Sequence, residues 1–234
     1  MWQATYEQRR EEIAEYFDRT AAKAWARLTS NEPLGRIRQT VREGRDQMRE
    51  VLLSWLPHDL HGRRILDAGC GTGALAQEAA RRGAHVVAID LSPTLVDLAR
   101  ERLINTHPEL AHRIEFASAD MLDPAWGEFD HVVAMDSLIH YQRHDIVQAL
   151  HGLSARCRYS MVFTIAPRTP LLAAMHRVGR MFPRSDRSPS LEPIDPHRLD
   201  MDLKTGLHSP DWQRARMQRV KRGFYISQAM ELRR

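Results

Sequence analysis

The chain has 234 residues, 43% of them hydrophobic, enough to pack one domain, and this excludes wholesale disorder. Its 34 basic and 30 acidic residues leave a formal net charge of +4; the basic groups are scattered and aromatics make up only 7%, which argues against a nucleic-acid surface. Cys70 and Cys157 are too few for a disulfide framework or a four-cysteine zinc site, and no apolar run approaches the ~20 residues that cross a bilayer. The charged N-terminus also lacks the apolar stretch of a secretory signal. A reducing cytoplasm is the expected compartment, with contact at a membrane surface left open by an N-terminal stripe of mixed charge.

Residues 1–57 predict two amphipathic helices that precede the rest of the domain and form a lid. Ile13, Tyr16, Phe17, Thr20, Ala21, Ala24, Trp25 and Leu28 fall on one helical stripe. Asn31 to Pro33 breaks it, and a second stripe follows through Ile37, Val41, Gly44, Met48, Val51, Leu52 and Trp55. From Arg63 the pattern alternates. Strand-like runs lie at 63–68, 85–90, 113–118, 129–135 and 159–166, with helical stretches at 74–82, 94–104 and 144–155. Such alternation predicts an α/β, doubly wound, Rossmann-like sheet with right-handed crossovers. A proline-rich, basic span at about 168–211 reads as an insertion after the fifth strand carrying one helix (Leu171, Leu172, Met175, Val178, Phe182). The runs 214–222 and 224–232 read as a closing antiparallel hairpin, which brings the expected sheet to seven strands.

The segment Ile65 to Gly73, ILDAGCGTG, is the most informative. A strand runs into glycines at 69, 71 and 73, and a helix starts directly after them. Glycines permit a sharp turn and a close approach of ligand to backbone, while the helix start offers free N–H groups to a polar ligand. Taken alone, the loop fits two cofactors, because with Ala74 it also satisfies a dinucleotide-binding pattern. Asp67 separates them, since a carboxylate there faces an ammonium group well and repels a pyrophosphate. Asp90 ends the second strand where it can take both hydroxyls of a ribose, in either cofactor. Asp120 ends the third strand, placed to accept from an adenine amino group.

Together, DxGxGxG at 67–73, AID at 88–90 and SAD at 118–120 resemble the class I S-adenosylmethionine-dependent methyltransferases. The flanks are more specific. EYFDRTAAKAWARL (15–28), the following GRIRQTVREGRDQMREVLLSWL (35–56), DSLIHY (136–141), FPRSDRSP (182–189) and the ending FYISQAMELRR are similar to the magnesium-protoporphyrin IX O-methyltransferases of the (bacterio)chlorophyll pathway. The similarity spans essentially the whole chain. One departure stands out: that family often carries a tyrosine shortly after the position of Trp25, in an RIYG-like stretch, where this chain reads Arg27 to Ser30, RLTS. No role of that tyrosine carries over.

The resemblance implies transfer of a methyl group from S-adenosylmethionine to a propionate carboxylate of Mg-protoporphyrin IX. It implies a cofactor site of Asp67, Gly69, Gly71, Gly73, Asp90, Leu91, Asp120, Met121, Met135 and Arg42. Phe17, Trp25, Tyr141 and Met175 would wall the porphyrin, with Arg184 or Arg187 on its second propionate; any of these apolar residues reads equally as core. A carboxylic acid is already ionised near pH 7, so the nucleophile needs no base. His140, just beyond the fourth strand, would orient the carboxylate or approach the magnesium, and Tyr16 could do either from the lid. A structural histidine, or a thin zinc set of His140, His144 and Cys157, stays open. The rival acceptor is a phenol such as a quinone precursor, which would use His140 as a base; a dehydrogenase and a non-catalytic cofactor-binding protein are further alternatives. As partners, the resemblance implies the porphyrin-binding subunit of magnesium chelatase, which would hand over an insoluble pigment.

Overall fold

The computed structural model describes residues 2–30, 33–168 and 191–234. The sheet is built from β1 (Arg64–Ala68), β2 (His85–Asp90), β3 (Ile114–Ser118), β4 (Phe129–Ala134), β5 (Cys157–Ile165), β6 (Gln213–Arg222) and β7 (Tyr225–Arg233). Its order is β3-β2-β1-β4-β5-β7-β6, with β1 to β5 parallel and β7 antiparallel between β5 and β6. Helices α4 (Ala74–Arg81), α5 (Pro93–Thr106) and α6 (Arg143–Ser154) make the crossovers. Covered on both faces, β4 is buried at every position, as a parallel sheet requires.

Strand alternation divides the core into two layers. Ile65, Val86, Val133 and Val162 pack on one face with α4 and α5, while Leu66, Val87, Val132 and Phe163 pack on the other with α6. Helix α3 (Arg36–Trp55) joins the first layer through Met48, Val51, Leu52 and Trp55. The boundary expected at residue 57 thus falls inside a continuous core. Only the N-terminal half of α3 and the segment before it stand over the carboxyl ends of the strands.

That preceding segment is a single helical path with a defect. Helix α1 (Trp2–Glu15) passes through a π-helical turn (Tyr16–Ala21) into α2 (Ala22–Leu28). A π turn holds an extra residue, so the stripe predicted with a period of 3.6 changes phase at Tyr16. Polar bonds hold the path to the sheet domain. The Asp18 carboxylate accepts from the Thr94 hydroxyl (2.6 Å) at the start of α5, and Arg102 of α5 donates to the carbonyls of Ala26 (2.8 Å) and Thr29 (3.2 Å).

A helix the sequence reading did not anticipate, α7 (Pro196–Gly206), packs Leu199 and Leu203 against the α6 layer. Its start was legible: Asp195 accepts from the His197 N–H (2.9 Å) and Pro196 occupies the first turn. The helix expected around Met175 lies outside the described residues.

Gly44 sets how closely α3 approaches the sheet, because a Cβ there would lie 2.6 Å from Tyr225 Cδ1. Gly44→Val should cost about 1–3 kcal/mol through overpacking. Urea denaturation checks this, and an unchanged midpoint would show that α3 can shift freely.

Candidate active site

A cavity of about 320 Å³ opens at the carboxyl ends of β1, β2 and β4, between the glycine loop and the α1–α3 segment. Of the sequence-predicted cofactor residues, Asp67, Gly69, Gly71, Asp90, Leu91, Met121, Met135 and Arg42 line it; of the acceptor residues, Phe17, Trp25, His140 and Tyr141 do. Gly73 stands at the start of α4 with φ +77°, closing the loop. Met175, Arg184 and Arg187 lie outside the described residues.

The loop is shaped by its neighbours. At Gly69, with φ +86°, a side chain would collide with Ser137. The Gly71 N–H donates to Asp90 Oδ2 (2.8 Å), and the Ser92 N–H to Asp90 Oδ1 (3.0 Å). Asp90 therefore holds the loop as well as facing the cavity. A carboxylate offers about four acceptor sites, so two backbone bonds leave room for a ribose diol.

Asp67 is the electrostatic centre. It is 1% exposed, and its Oδ2 has no hydrogen-bond partner among the described residues. Burial, and after it the charge of Asp90, pushes its pKa up to about 7. A buried carboxylate left with an unfilled acceptor is costly, and a ligand ammonium would relieve both the burial and the repulsion. A cofactor with an amino-acid end fits this position, and a pyrophosphate does not.

Opposite the loop stands Arg45, whose guanidinium donates to the Asp136 carboxylate (2.7 Å) and lies 4.3 Å over the Trp25 ring. Asp136 adopts φ +54°, and its carboxylate also accepts from the hydroxyls of Tyr225 (3.1 Å), Thr164 (3.1 Å) and Ser227 (3.3 Å). Arg42 reaches the cavity too, but its guanidinium donates to the carbonyls of Leu28 and Arg27, both at 2.9 Å. It ties α2 to α3, as Arg45 ties α3 to Asp136, and both guanidinium groups line the cavity.

Two expectations need correction. Asp120 does not line the cavity, although Ala119 and Met121 do. Its carboxylate accepts from the Leu122 N–H of its own turn (2.9 Å), from the Tyr6 hydroxyl (2.8 Å) and from Arg10 (2.6 Å), so α1 occupies the group expected to read adenine. Nor does Tyr16 line the cavity; it packs edge-on against Phe17, with ring centroids 5.3 Å apart, because the π turn directs Phe17 inward instead. The thin zinc alternative also finds no support, since among the described residues no three His, Cys, Asp or Glu side chains converge to hold an ion.

His140 is 5% exposed, at the end of a short 3₁₀ turn (Leu138–His140), with its ring 5.8 Å from that of Phe17. Beside it Tyr141 stacks on Tyr6 at 5.1 Å. The sequence reading missed Tyr6, Arg45 and Asp136. Tyr6 could have been found, because it lies seven residues before Ile13 on the same stripe and both line the cavity.

A parallel sheet closed by a reversed last hairpin, with an acid before the glycine loop and another at the next strand end, defines a class I S-adenosylmethionine-dependent methyltransferase. Residues 65–159 match the methyltransferase domain family, and residues 134–234 match the family described as magnesium-protoporphyrin IX methyltransferase C-terminus. The chain belongs to the magnesium-protoporphyrin O-methyltransferase family: it is 52% identical to that enzyme of Rhodobacter capsulatus over 97% of this chain and 98% of the relative. The fold matches the crystal structure of magnesium protoporphyrin IX methyltransferase from Synechocystis with bound S-adenosylhomocysteine, with a TM-score of 0.83 at 23% identity, covering 96% of this chain and 99% of that one. A ubiquinone biosynthesis O-methyltransferase of Xanthomonas oryzae is 33% identical, but over 54% of each chain.

The Asp67 geometry makes a paired prediction. The carboxyl titrates at an ordinary 3.8 when unfolded and at about 7 when folded. Between these values the folded chain holds a proton that the unfolded chain has lost, so stability falls as pH rises through that window. Asp67→Asn should stabilise the cofactor-free chain at pH 8 by about 1–3 kcal/mol while weakening S-adenosylmethionine binding at least about tenfold. Thermal melts and calorimetry read the two effects, and a variant that loses both stability and affinity would contradict this role.

Proposed function

We infer that this chain methylates a propionate carboxylate of Mg-protoporphyrin IX, using S-adenosylmethionine, to give the monomethyl ester. The observation that carries the acceptor is the reach of the similarity: the match to the Rhodobacter enzyme, at 52% identity, covers 97% of this chain, including the segment over the cavity. The match to the ubiquinone enzyme stops at about half of each chain. A cofactor-binding half is shared among many acceptors, whereas the flanks belong to one.

S-adenosylmethionine supplies an electrophilic methyl group on a sulfonium sulfur. In this reading Asp67 takes the ammonium of its amino-acid end, Arg45 the carboxylate, Asp90 the ribose hydroxyls, and Leu91 and Met121 the faces of the adenine, with Met135 beside the sulfonium. The acceptor propionate enters beside His140, which orients it by a hydrogen bond. Phe17, Trp25 and Tyr141 line the entrance and keep water from both charges. At about 320 Å³ the cavity is near the lower end for enclosed ligands, so the macrocycle rests at the mouth under α1 and α2. Alignment and desolvation supply the rate, because an ionised carboxylate needs no proton removed. The porphyrin-binding subunit of magnesium chelatase fits as donor of the pigment, since the ligand is insoluble. Contact with a membrane surface fits the same need.

Incubating the chain with S-adenosylmethionine and Mg-protoporphyrin IX should yield the monomethyl ester by mass spectrometry, and no ester would overturn the reading. His140→Ala should lower kcat about 10- to 1,000-fold with cofactor affinity nearly unchanged. The wild-type rate should show no limb that rises through a base of pKa near 6.5. A steep limb removed by the substitution would point to a phenolic acceptor.

A further inference from the structure

Asp136 lines the cavity, yet its carboxylate is already saturated. It accepts from Arg45, Thr164, Tyr225 and Ser227, and a carboxylate offers about four acceptor sites. Its own N–H donates to Thr164 Oγ1 (2.7 Å), with φ at +54°. A residue other than glycine keeps such a backbone only where its surroundings over-determine it. Asp136 therefore reaches a ligand only through a group that it holds, and of its four donors Arg45 alone lines the cavity. The Nη1 group that meets Asp136 carries part of the five N–H donors of a guanidinium, so donors remain for a ligand carboxylate.

Tyr225 acts on Arg45 from two directions. Its hydroxyl donates to both oxygens of Asp136, each at 3.1 Å. Its ring lies against Gly44, the residue before Arg45, where an added Cβ would fall 2.6 Å from Tyr225 Cδ1. One side chain thus sets both the backbone that carries the guanidinium and the carboxylate that orients it. Burial, and after it the charge of Asp136, holds the Tyr225 pKa well above the ordinary tyrosine value, so the hydroxyl keeps its proton and goes on donating. Beyond Arg45 the line continues to the glycine loop. The guanidinium lies 4.3 Å over the Trp25 ring, and Trp25 Nε1 is 3.2 Å from where a Cβ on Gly71 would stand.

We propose that Tyr225, on the closing hairpin, is a positioning residue for the methyl donor: through Asp136 it fixes Arg45 for the carboxylate of the donor's amino-acid end. This role rests on the reading above that Arg45 takes that carboxylate, and it does not depend on the acceptor. Tyr225 itself does not line the cavity. Loss of its hydroxyl is therefore felt only by a ligand that carries the carboxylate.

Titration calorimetry of the full chain with S-adenosylmethionine and with decarboxylated S-adenosylmethionine, which lacks only that carboxylate, tests this without any acceptor. Tyr225→Phe keeps the ring against Gly44 and removes the hydroxyl. It should weaken S-adenosylmethionine binding about five- to twentyfold, as loss of one hydrogen bond to a charged group does. Binding of the decarboxylated ligand should change less than about twofold. Arg45→Ala should show the same selectivity at larger size, and adding Tyr225→Phe to it should change nothing further. Where Tyr225→Phe melts far below the wild type, Ser227→Ala, which removes another donor from Asp136, carries the same test and should repeat the selective loss at smaller size. Equal loss for both ligands, or unchanged affinity for S-adenosylmethionine, overturns the role of Tyr225. If Arg45→Ala is still selective in that case, the Arg45 reading stands and only the positioning role falls. If Arg45→Ala weakens both ligands alike, or neither, the Arg45 reading falls and takes the positioning role with it.

Discussion

The structure depends on one electrostatic constraint: Asp67 and Asp90 stand close together at the ends of adjacent strands, almost out of water. Burial raises the pKa of each, and for Asp67 the charge of its neighbour adds to the effect. A fold selected only for stability would not keep such a pair. Asp90 offsets its cost by accepting two backbone N–H groups that shape the glycine loop. Asp67 has no such compensation at Oδ2 among the described residues, so its burial is relieved by taking up a proton or by a cation placed beside it. The geometry of the loop and this unrelieved carboxylate are thus two consequences of the same pair of acids.

A second pair, Arg45 with Asp136, connects that centre to the rest of the molecule. Asp136 sits just past β4 and gathers hydroxyls from β5 and β7, while Arg45 comes from α3 and carries Trp25 on its face. The closing hairpin, the third helix and the aromatic wall are therefore registered on one carboxylate beside the cavity. The N-terminal path is fastened differently. Tyr6 and Ile13 are buried in the α6 layer of the core, and Asp18, Arg102, Tyr6 and Arg10 add polar bonds to the sheet domain.

The sheet was readable in the sequence because its signals are local. Apolar runs of strand length alternate with helical stripes, and all the predicted strands and crossover helices appear with ends shifted by a residue or two. The glycine loop and its acids were readable for the same reason, because strand, turn and helix start are contiguous. What failed was longer-ranged. The phase of the first helix depends on a π turn that no local pattern announces, and this takes Tyr16 out of the cavity lining while Phe17 stays in it. Asp120 was assigned from its place at a strand end, yet its partner is decided by Tyr6 and Arg10, more than a hundred residues away. Asp136 opens the DSLIHY stretch that carries part of the family resemblance, but no local pattern announced its role, which arises from groups on three other elements.

The capture of Asp120 by α1 is also where the two kinds of contact meet. The Tyr6 hydroxyl and Arg10 satisfy a carboxylate that an adenine amino group would otherwise meet, and Tyr6 stacks on Tyr141, which adjoins His140. A cofactor that drew Asp120 away would have to replace a charge-assisted bond with a neutral one, a loss of roughly 1 kcal/mol. The lower-energy arrangement keeps Asp120 with α1, and Leu91, Ala119 and Met121 are the neighbouring residues that line the cavity. The third acid of the motif set thus anchors α1 to the end of the third strand, and a partner more than a hundred residues away decides what a strand-end carboxylate does.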